Sequence, residues 1–166
     1  MIVLGVDPGS LVCGLGVVRR DGSTLQRIDS GVVRISPTEA LEHRLVYLYD
    51  AVREAIVVHQ PIFVAVESVF HHRNAKAALT LGHARGAILL ACAKGGVEVV
   101  EYPPAQVKRA VTGNGAATKK QVRRMVELSL GITVDGPDDE TDALAVAICH
   151  AQSIGLQRAI AAAESR

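Results

Sequence analysis

The sequence lacks the features typical of exported and membrane proteins. It has only three cysteines, which lie far apart in apolar segments and form no CxxC motif, so it favours neither disulfide bonds nor a cysteine metal site. No apolar run approaches the roughly 20 residues that cross a bilayer. No basic segment precedes the N-terminal apolar run, as it would in a signal peptide. We therefore expect a soluble, cytoplasmic protein.

Aromatic residues, linkers and low-complexity segments are also scarce or missing. The chain has no Trp, three Tyr and two Phe among its 166 residues, while 49% of the residues are hydrophobic. A chain of this length and composition can bury one sizeable core. The sequence predicts a single domain over residues 1–166, in which the residues after 156 form a disordered or loosely helical tail.

The net charge of +1 hides a strong segregation of charge along the chain. Residues 103–126 contain six basic residues and no acid, whereas residues 135–142 contain five acids. Opposite charges concentrated in separate segments produce separate local fields. The sequence therefore predicts one surface that attracts polyanions and a nearby one that collects cations.

Hydrophobic periodicity predicts an α/β fold with five strands and five helices. The strands are predicted at residues 2–7, 13–20, 24–35, 62–67 and 97–101. The helices are predicted from a Thr38 cap to residue 60 and at residues 75–94, 104–112, 118–130 and 139–154. Three consecutive strands followed by alternating helices and strands predict a mixed five-stranded sheet with helices on both faces.

Two predicted core strands end on a carboxylate, which is unusual for buried strands. Asp7 ends the first strand and Glu67 ends the strand "IFVAVE". If these strands are parallel neighbours, both acids face the crevice beyond their carboxyl ends, where ligands collect in such sheets. Asp139 and Asp142 are three residues apart on the first turn of the last helix. Packing of that turn against the sheet would bring four carboxylates together.

A single Asp after a strand more often serves a turn or a helix cap, and we assign Asp138 as the N-cap and Glu140 as a solvated charge. The combination of two acid-terminated strands, an acidic pair on one turn and a separate basic segment favours a metal site. Divalent cations convert repulsion within such a cluster into binding, and Mg²⁺ prefers oxygen ligands. Two ions can promote phosphodiester hydrolysis.

Four segments, in order and nearly end to end, carry a resemblance to a known family. They are "GVDPGSLVCGLGVV", "VAVESVFHHRNAKAALTLGHARG", "EYPPAQVKRAVTGNGAATKKQV" and "DDETDALAVAICH". Together they resemble the RuvC family of Holliday-junction resolvases. The resemblance implies a ribonuclease-H-like fold, a homodimer and nicking of two opposed strands of a four-way DNA junction. It also implies two Mg²⁺ ions per active site, with Mn²⁺ as a substitute, held by the catalytic acids Asp7, Glu67, Asp139 and Asp142.

The same resemblance assigns DNA contacts to other residues. Phe70 becomes an apolar wedge that unstacks bases, although a core anchor is the alternative for a Phe. Lys108 and Lys119 match basic residues near the scissile phosphate, and His71 and His72 contact phosphates at most. Further DNA-backbone contacts are expected from Arg73, Lys76, Lys120, Arg123 and Arg124. A solvated helix face is the alternative for the last three of these.

A homodimer requires a contact surface, which we place on the helix at residues 75–94. The small and apolar residues expected on this face are Ala75, Ala78, Leu79, Gly82 and Gly86. Packing of the glycines against the sheet of the same monomer is the alternative. The resemblance further implies cooperation with the RuvA and RuvB branch-migration proteins.

Three other functions are weighed against a DNA junction resolvase. The "DPGSLVCG" turn also resembles the phosphate-binding turn of actin-like ATPases, but 166 residues are too few for their two domains. Resolvase-like proteins of the same fold act on RNA, and a non-catalytic module that binds junctions is the third alternative. The Phe70 motif and the acidic pair of the last helix favour the DNA resolvase, which would act in recombination and repair.

Overall fold

The computed structural model of the chain describes residues 1–68 and 74–164, and the side chains in these ranges as far as residue 155. The strands are β1 (Ile2–Asp7), β2 (Val12–Asp21), β3 (Thr24–Arg34), β4 (Phe63–Glu67) and β5 (Glu98–Tyr102). The helices are α1 (Leu41–His59), α2 (Ala75–Gly95), α3 (Pro104–Thr112), α4 (Lys119–Leu130) and α5 (Asp138–Glu164). The predicted elements are confirmed, with small shifts at most ends and a large one at the end of α5.

The five strands form one mixed sheet in the order β3-β2-β1-β4-β5. The first three strands are an antiparallel meander, and β1, β4 and β5 run parallel. The central strands β1 and β4 are buried along most of their length, as expected for strands that helices cover on both faces. The predicted mixed sheet is confirmed.

Each face of the sheet carries its own hydrophobic core. On one face, the buried residues of α1 and α2 pack against the side chains of Leu4, Val6 and Val64. On the other face, α3, α4 and α5 pack against Val3, Val18 and other strand residues. The inward-facing side predicted for α5 is confirmed, since its members Leu144, Ala147, Ile148 and Ala151 are fully buried.

Glycines in β1 and β2 bring α5 unusually close to the sheet. A methyl group added to Gly14 would overlap the backbone oxygen of Asp139, and one added to Gly5 would overlap that of Ala143. Gly14 is also the residue paired with Asp7 across β1 and β2. The absence of a side chain at position 14 therefore lets the first turn of α5 lie over the end of β1.

The N-terminal ends of α1 and α4 are capped differently. The predicted Thr38 cap of α1 is wrong, because α1 begins at Leu41 after Ala40. The Thr38 hydroxyl is instead hydrogen bonded to Ser36 Oγ at 2.8 Å, inside the preceding turn. At α4, Thr118 and Gln121 form a complete capping box, which satisfies backbone N–H groups left unpaired at a helix start.

The last helix differs from its prediction at both ends. Asp138 lies within the first turn of α5 and was wrongly assigned as its N-cap. The helix then continues to Glu164, well beyond the predicted end near residue 154. No proline interrupts residues 156–164 and four of them are Ala, the best helix former. No helix within residues 1–68 and 74–164 is long and apolar enough to span a membrane.

Candidate active site

The two strand-terminal acids lie side by side at the edge of the sheet. Strands β1 and β4 are parallel neighbours in which Val6 pairs with Val66, so Asp7 and Glu67 follow on adjacent strands. Their carboxyl groups are within hydrogen-bonding range of each other. The predicted convergence of these two acids follows from the parallel pairing alone.

The first turn of α5 completes the acidic cluster. It lies over the end of β1 because Gly14 leaves room for the backbone of Asp139. Asp139 and Asp142 both raise the pKa of Asp7 through their negative charges, so both carboxylates lie close enough to interact with it. The structure thus brings together the four acids singled out in the sequence.

Two lysines from the basic segment border the four acids. The Lys119 ammonium, at the start of α4, donates a hydrogen bond to Asp142 Oδ2 at 3.0 Å and lies 3.9 Å from Asp138 Oδ2. This hydrogen bond is the main reason that the pKa of Lys119 is raised. Lys108, on α3, is half-buried and close enough to favour the charged form of Glu67. Both lysines therefore lie beside the carboxylates, and their contact with the scissile phosphate stays a prediction.

The electrostatics of the cluster are unfavourable without a counter-charge. Burial, followed by the charges of Glu67, Asp142 and Asp139, raises the pKa of Asp7 to about 8. Burial is also the main cause of the raised pKa of Glu67, with a further contribution from the charge of Asp142. With a pKa of about 8, Asp7 holds a proton at neutral pH unless a cation replaces it.

A divalent metal ion fits this set of donors. All four side chains offer carboxylate oxygens, the ligands that Mg²⁺ prefers, and a cation would relieve the repulsion that raises the pKa of Asp7. Within residues 1–68 and 74–155, no three His, Cys, Asp or Glu side chains already form a metal-binding group. Asp142 is bonded to Lys119, so binding of an ion by this set would require side-chain rearrangement.

The raised pKa of Asp7 predicts how the stability of the metal-free protein depends on pH. An ordinary Asp has a pKa of about 4, whereas that of Asp7 is raised to about 8 in the folded chain. Between these values the folded state binds the extra proton, so the free energy of unfolding falls as pH rises, by at most about 1.4 kcal/mol per unit. In EDTA, the free energy of unfolding of Asp7→Asn should not show this decrease with rising pH.

The measurement is the difference in melting temperature between the parent and Asp7→Asn, recorded from about pH 5 to pH 8. Titrating groups remote from Asp7 cancel in this difference, and Asp135→Asn, at an exposed acid in the loop before α5, serves as the control. Saturating Mg²⁺ should stabilise the parent increasingly as pH rises, because the ion competes with protons. A parent and an Asp7→Asn variant with parallel pH profiles would contradict the raised pKa.

The remaining predicted DNA contacts are exposed, are hydrogen bonded within the protein, or lie outside the described residues. Lys76, Lys120 and Arg124 are exposed and available to a ligand. Phe70 and Arg73 lie outside the described residues, as do His71 and His72.

Arg123, one of the predicted DNA contacts, makes hydrogen bonds within the protein. Its guanidinium donates hydrogen bonds to the carbonyl oxygens of Val134 (2.6 Å) and Gly136 (3.1 Å) and to Asp138 Oδ1 (2.9 Å). These bonds fix the loop that leads into α5. Arg123 therefore helps to position Asp139 and Asp142 through the loop before them, and Asp138 is its ion-pair partner.

Glu140 is not the solvated charge that the sequence suggested. It is only 9% exposed and accepts a hydrogen bond from Ser30 Oγ at 2.6 Å. This contact ties the first turn of α5 to β3. No local pattern marks it, because its partner is 110 residues away in the chain.

The face of α2 proposed as a dimer contact is free in the monomer. Within residues 1–68 and 74–155, a methyl group added to Gly82 or Gly86 would meet no atom within 4 Å, so these glycines do not pack against the sheet. Leu79 is 63% exposed on the same face, and Ala75 and Ala78 are exposed as well. The face is therefore a stripe of small and apolar residues available to a partner.

Comparison with known proteins places the chain in one family. Residues 3–150 match the family model described as crossover junction endodeoxyribonuclease RuvC. The chain is 48% identical over 152 residues to the crossover junction endodeoxyribonuclease RuvC of Chloroflexus aggregans, covering 91% of this chain and 93% of that one. It is 44% identical to the protein of the same name from Heliobacterium modesticaldum, covering 93% of this chain and 96% of the relative.

Solved structures agree with the family match. The structure of Thermus thermophilus RuvC is 37% identical and superposes with a TM-score of 0.88, covering 95% of this chain and 97% of that one. The same protein in complex with Holliday junction substrate gives a TM-score of 0.86 at 35% identity, with 94% of this chain and 96% of that one covered. The predicted ribonuclease-H-like fold is confirmed. The chain belongs to the RuvC family of crossover junction endodeoxyribonucleases.

Proposed function

We propose that the protein is a Mg²⁺-dependent endonuclease that resolves four-way DNA junctions by paired, symmetric nicks, in recombination and repair. The observation that carries this proposal is the convergence of Asp7, Glu67, Asp139 and Asp142 beside Lys108 and Lys119. Phosphodiester hydrolysis of this kind requires carboxylates that bind metal ions and, next to them, positively charged side chains that bind phosphate. Membership of the RuvC family supplies the junction as substrate.

The alternatives are less well supported. A non-catalytic junction-binding module gains nothing from four acids that repel phosphate, and burial, together with the charge of Asp142, raises the pKa of both Asp7 and Glu67, so their charged forms are costly without a cation. An RNA-specific enzyme is not favoured either, since the relatives described above are named as endodeoxyribonucleases. DNA cleavage is therefore the function we assign.

The carboxylates and the lysines divide the work of the reaction. Asp7, Glu67, Asp139 and Asp142 would hold two Mg²⁺ ions, and Mn²⁺ offers the same preference for oxygen ligands. When bound, such a pair supplies an activated water on one side of the phosphodiester and stabilises the leaving oxygen on the other. The carboxylates fix the place of reaction, at the carboxyl ends of β1 and β4.

Lys108 and Lys119 orient the strand that is cut. Lys119 lies within hydrogen-bonding distance of Asp142, so a phosphate that reaches the carboxylates also reaches the ammonium group. The two lysines come from α3 and α4, both on the face of the sheet that α5 covers. They would neutralise the charge of the approaching phosphate and hold it in register with the acids.

The direct test is incubation of the purified protein with a labelled four-way junction, a matched linear duplex and a matched RNA–DNA hybrid. We expect paired nicks at symmetric positions in the junction, much less cutting of the duplex and the hybrid, and no product in EDTA. Cleavage that persists in EDTA would exclude the carboxylate mechanism. Preferential cutting of the hybrid would favour the RNA-specific alternative.

A homodimer is the second part of the proposal. Two opposed cuts in a two-fold junction require two active sites related by the same symmetry. The exposed stripe on α2 supports this arrangement, because Gly82 and Gly86 leave open space for a partner helix and Leu79 and Leu90 expose 63% and 53% of their surfaces. A charge placed in this stripe would be buried without a partner in the dimer.

Leu79→Glu is therefore expected to shift the protein to monomer at micromolar concentration and to lose paired nicking. Sedimentation velocity measures the first effect, and a cruciform plasmid, in which single and paired nicks give different products, measures the second. Leu128→Glu is the matched control, since Leu128 is 62% exposed on α4, outside the stripe. A parent protein that is monomeric and still makes paired nicks would contradict the dimer.

The cellular setting follows from the proposed substrate. The relatives are bacterial DNA-acting proteins, and junctions in chromosomal DNA place the reaction in the cytoplasm. Four-way junctions move along DNA by branch migration. The family resemblance implies the branch-migration proteins RuvA and RuvB, which are therefore the proposed partners that deliver the substrate. Co-sedimentation of the protein with junction-bound RuvA and RuvB, compared with free junction, tests this association.

A further inference from the structure

A groove beside the acidic cluster lies on the face of the sheet opposite Lys108 and Lys119. Its volume is about 540 Å³, and it is lined by the turn after Asp7 (residues 8–10), by Arg44 of α1 and by Lys76 and Thr80 of α2. Both helices pack on the face of the sheet away from α3, α4 and α5. The groove therefore begins where β1 ends and continues on the other side of the acidic cluster.

The groove contains two cationic side chains and no acid among its lining residues. Arg44 and Lys76 form no ion pair with a carboxylate of the described residues. Residues 69–73, which precede α2 in the chain, contain no Asp or Glu. The two cationic side chains are therefore not paired with a carboxylate in the part of the chain that the structure describes.

Arg44 is held in the groove by the turn that follows Asp7. Its Nη2 and Nε atoms donate to the carbonyl oxygen of Ser10, at 2.6 and 3.3 Å. This leaves part of the guanidinium fork for another acceptor, and guanidinium suits phosphate oxygens. The first-turn N–H groups of Lys76 and Ala77 are already bonded to Asn74 Oδ1, so anion binding here would depend on the side chains.

We propose that this groove is a second phosphate-binding site for the DNA strand that is cut, with Arg44 and Lys76 as its ligands. The inference rests on the proposed junction-cleaving function and extends it to the far side of the active site. Ser10 is three residues from Asp7, so their Cα atoms are at most about 11 Å apart. Each strand carries one phosphate per about 3.4 Å of axis, which places the contact within about four nucleotides of the scissile phosphate.

The geometry of α2 allows this site to act together with the dimer. Lys76 and Thr80, four residues apart, share one side of the helix, and Leu79, three residues after Lys76, lies on the adjoining stripe. Phosphate binding and dimer contact therefore use adjacent faces of α2. The scissile strand would be held by Lys108 and Lys119 on one side of the cut and by Arg44 and Lys76 on the other.

The salt dependence of junction binding in EDTA tests the site. Loss of one phosphate contact reduces the magnitude of the slope of log K against log salt by about 1. Lys76→Gln and Arg44→Gln should therefore each make this slope less steep by that amount. Lys94→Gln is the control, because Lys94 is exposed at the opposite end of α2.

Melting temperatures are compared for all variants, because Arg44 also holds the turn after Asp7. The Lys76 side chain has no hydrogen bond among the described residues, so Lys76→Gln alone tests the site if Arg44→Gln does not fold.

A methylphosphonate scan locates the contact on the DNA. Each of the four linkages on either side of the cut is neutralised singly, and binding is measured for the parent, Lys94→Gln and Lys76→Gln. One or two linkages on one side should weaken binding by the parent and by Lys94→Gln but not by Lys76→Gln. The site is wrong if every linkage affects the three proteins equally and the salt slopes agree. If the parent neither prefers nor nicks the junction, it is the proposed function that fails.

Discussion

Asp7→Asn should lower the rate of junction cleavage at least about a thousandfold, equivalent to about 4 kcal/mol in the activation free energy. Burial, followed by the charges of the other three acids, raises the pKa of Asp7, which places its carboxylate within reach of all of them. An amide at this position retains the shape of the side chain but removes a charged ligand from the cation site. Glu67→Gln, Asp139→Asn and Asp142→Asn should cause losses of the same kind.

Binding of the junction should survive these substitutions, which separates a catalytic loss from a folding loss. Phosphate contacts come from the lysines and arginines, and removing a negative charge near the DNA slightly favours binding. Gel-shift titration in EDTA measures affinity, and single-turnover cleavage in Mg²⁺ measures the rate. Asp135→Asn, at an exposed acid in the loop before α5, is the control and should cleave normally. Any of the four variants with near-normal turnover would remove its residue from the active site.

The positions of Asp7 and Glu67 were predictable because strand patterns determine them. Both acids end short apolar runs, and a parallel pairing of two such strands places their ends together. This reasoning uses only local periodicity and the general location of ligands in α/β sheets. The family resemblance then identified Lys108 and Lys119, for which spacing alone offers no assignment.

The arrangement around α5 could not be predicted from the sequence in the same way. Gly14 reads as an ordinary strand glycine, yet its missing side chain makes room for the backbone of Asp139. Glu140 reads as one more charge in an acidic run, yet it is buried against Ser30 of a distant strand. Arg123 reads as part of a basic helix face, but it holds residues 134–138 in place. Each of these roles depends on a contact that no local sequence pattern marks.

These contacts give the active site a rigid side and an adjustable side. The backbone of α5 is fixed against the sheet by Gly5 and Gly14 and by the bond between Glu140 and Ser30. Among the described residues no three carboxylates are placed to hold an ion, and Asp142 is bonded to an exposed lysine, Lys119. A cation therefore has only side chains to rearrange, and the entropy cost of binding is limited to a few rotamers.

Phe70→Ala is expected to bind junctions nearly as well as the parent but to cut them about ten to a hundred times more slowly. Phe70 lies outside the described residues, three positions after Glu67, and the family resemblance makes it an apolar wedge. Stacking of an aromatic ring on a base is worth about 1–3 kcal/mol, which corresponds to this loss of rate. Affinity depends chiefly on phosphate contacts, which the substitution leaves in place.

A junction with unpaired bases at its centre distinguishes a wedge from a core residue. Such a substrate has already lost the stacking that the wedge would disrupt, so it should restore most of the cleavage rate of Phe70→Ala. The parent should gain little from the same substrate, which serves as the control. If Phe70 instead anchors the core, the variant should melt at a clearly lower temperature, weaken binding and cleavage together, and gain nothing from the unpaired junction.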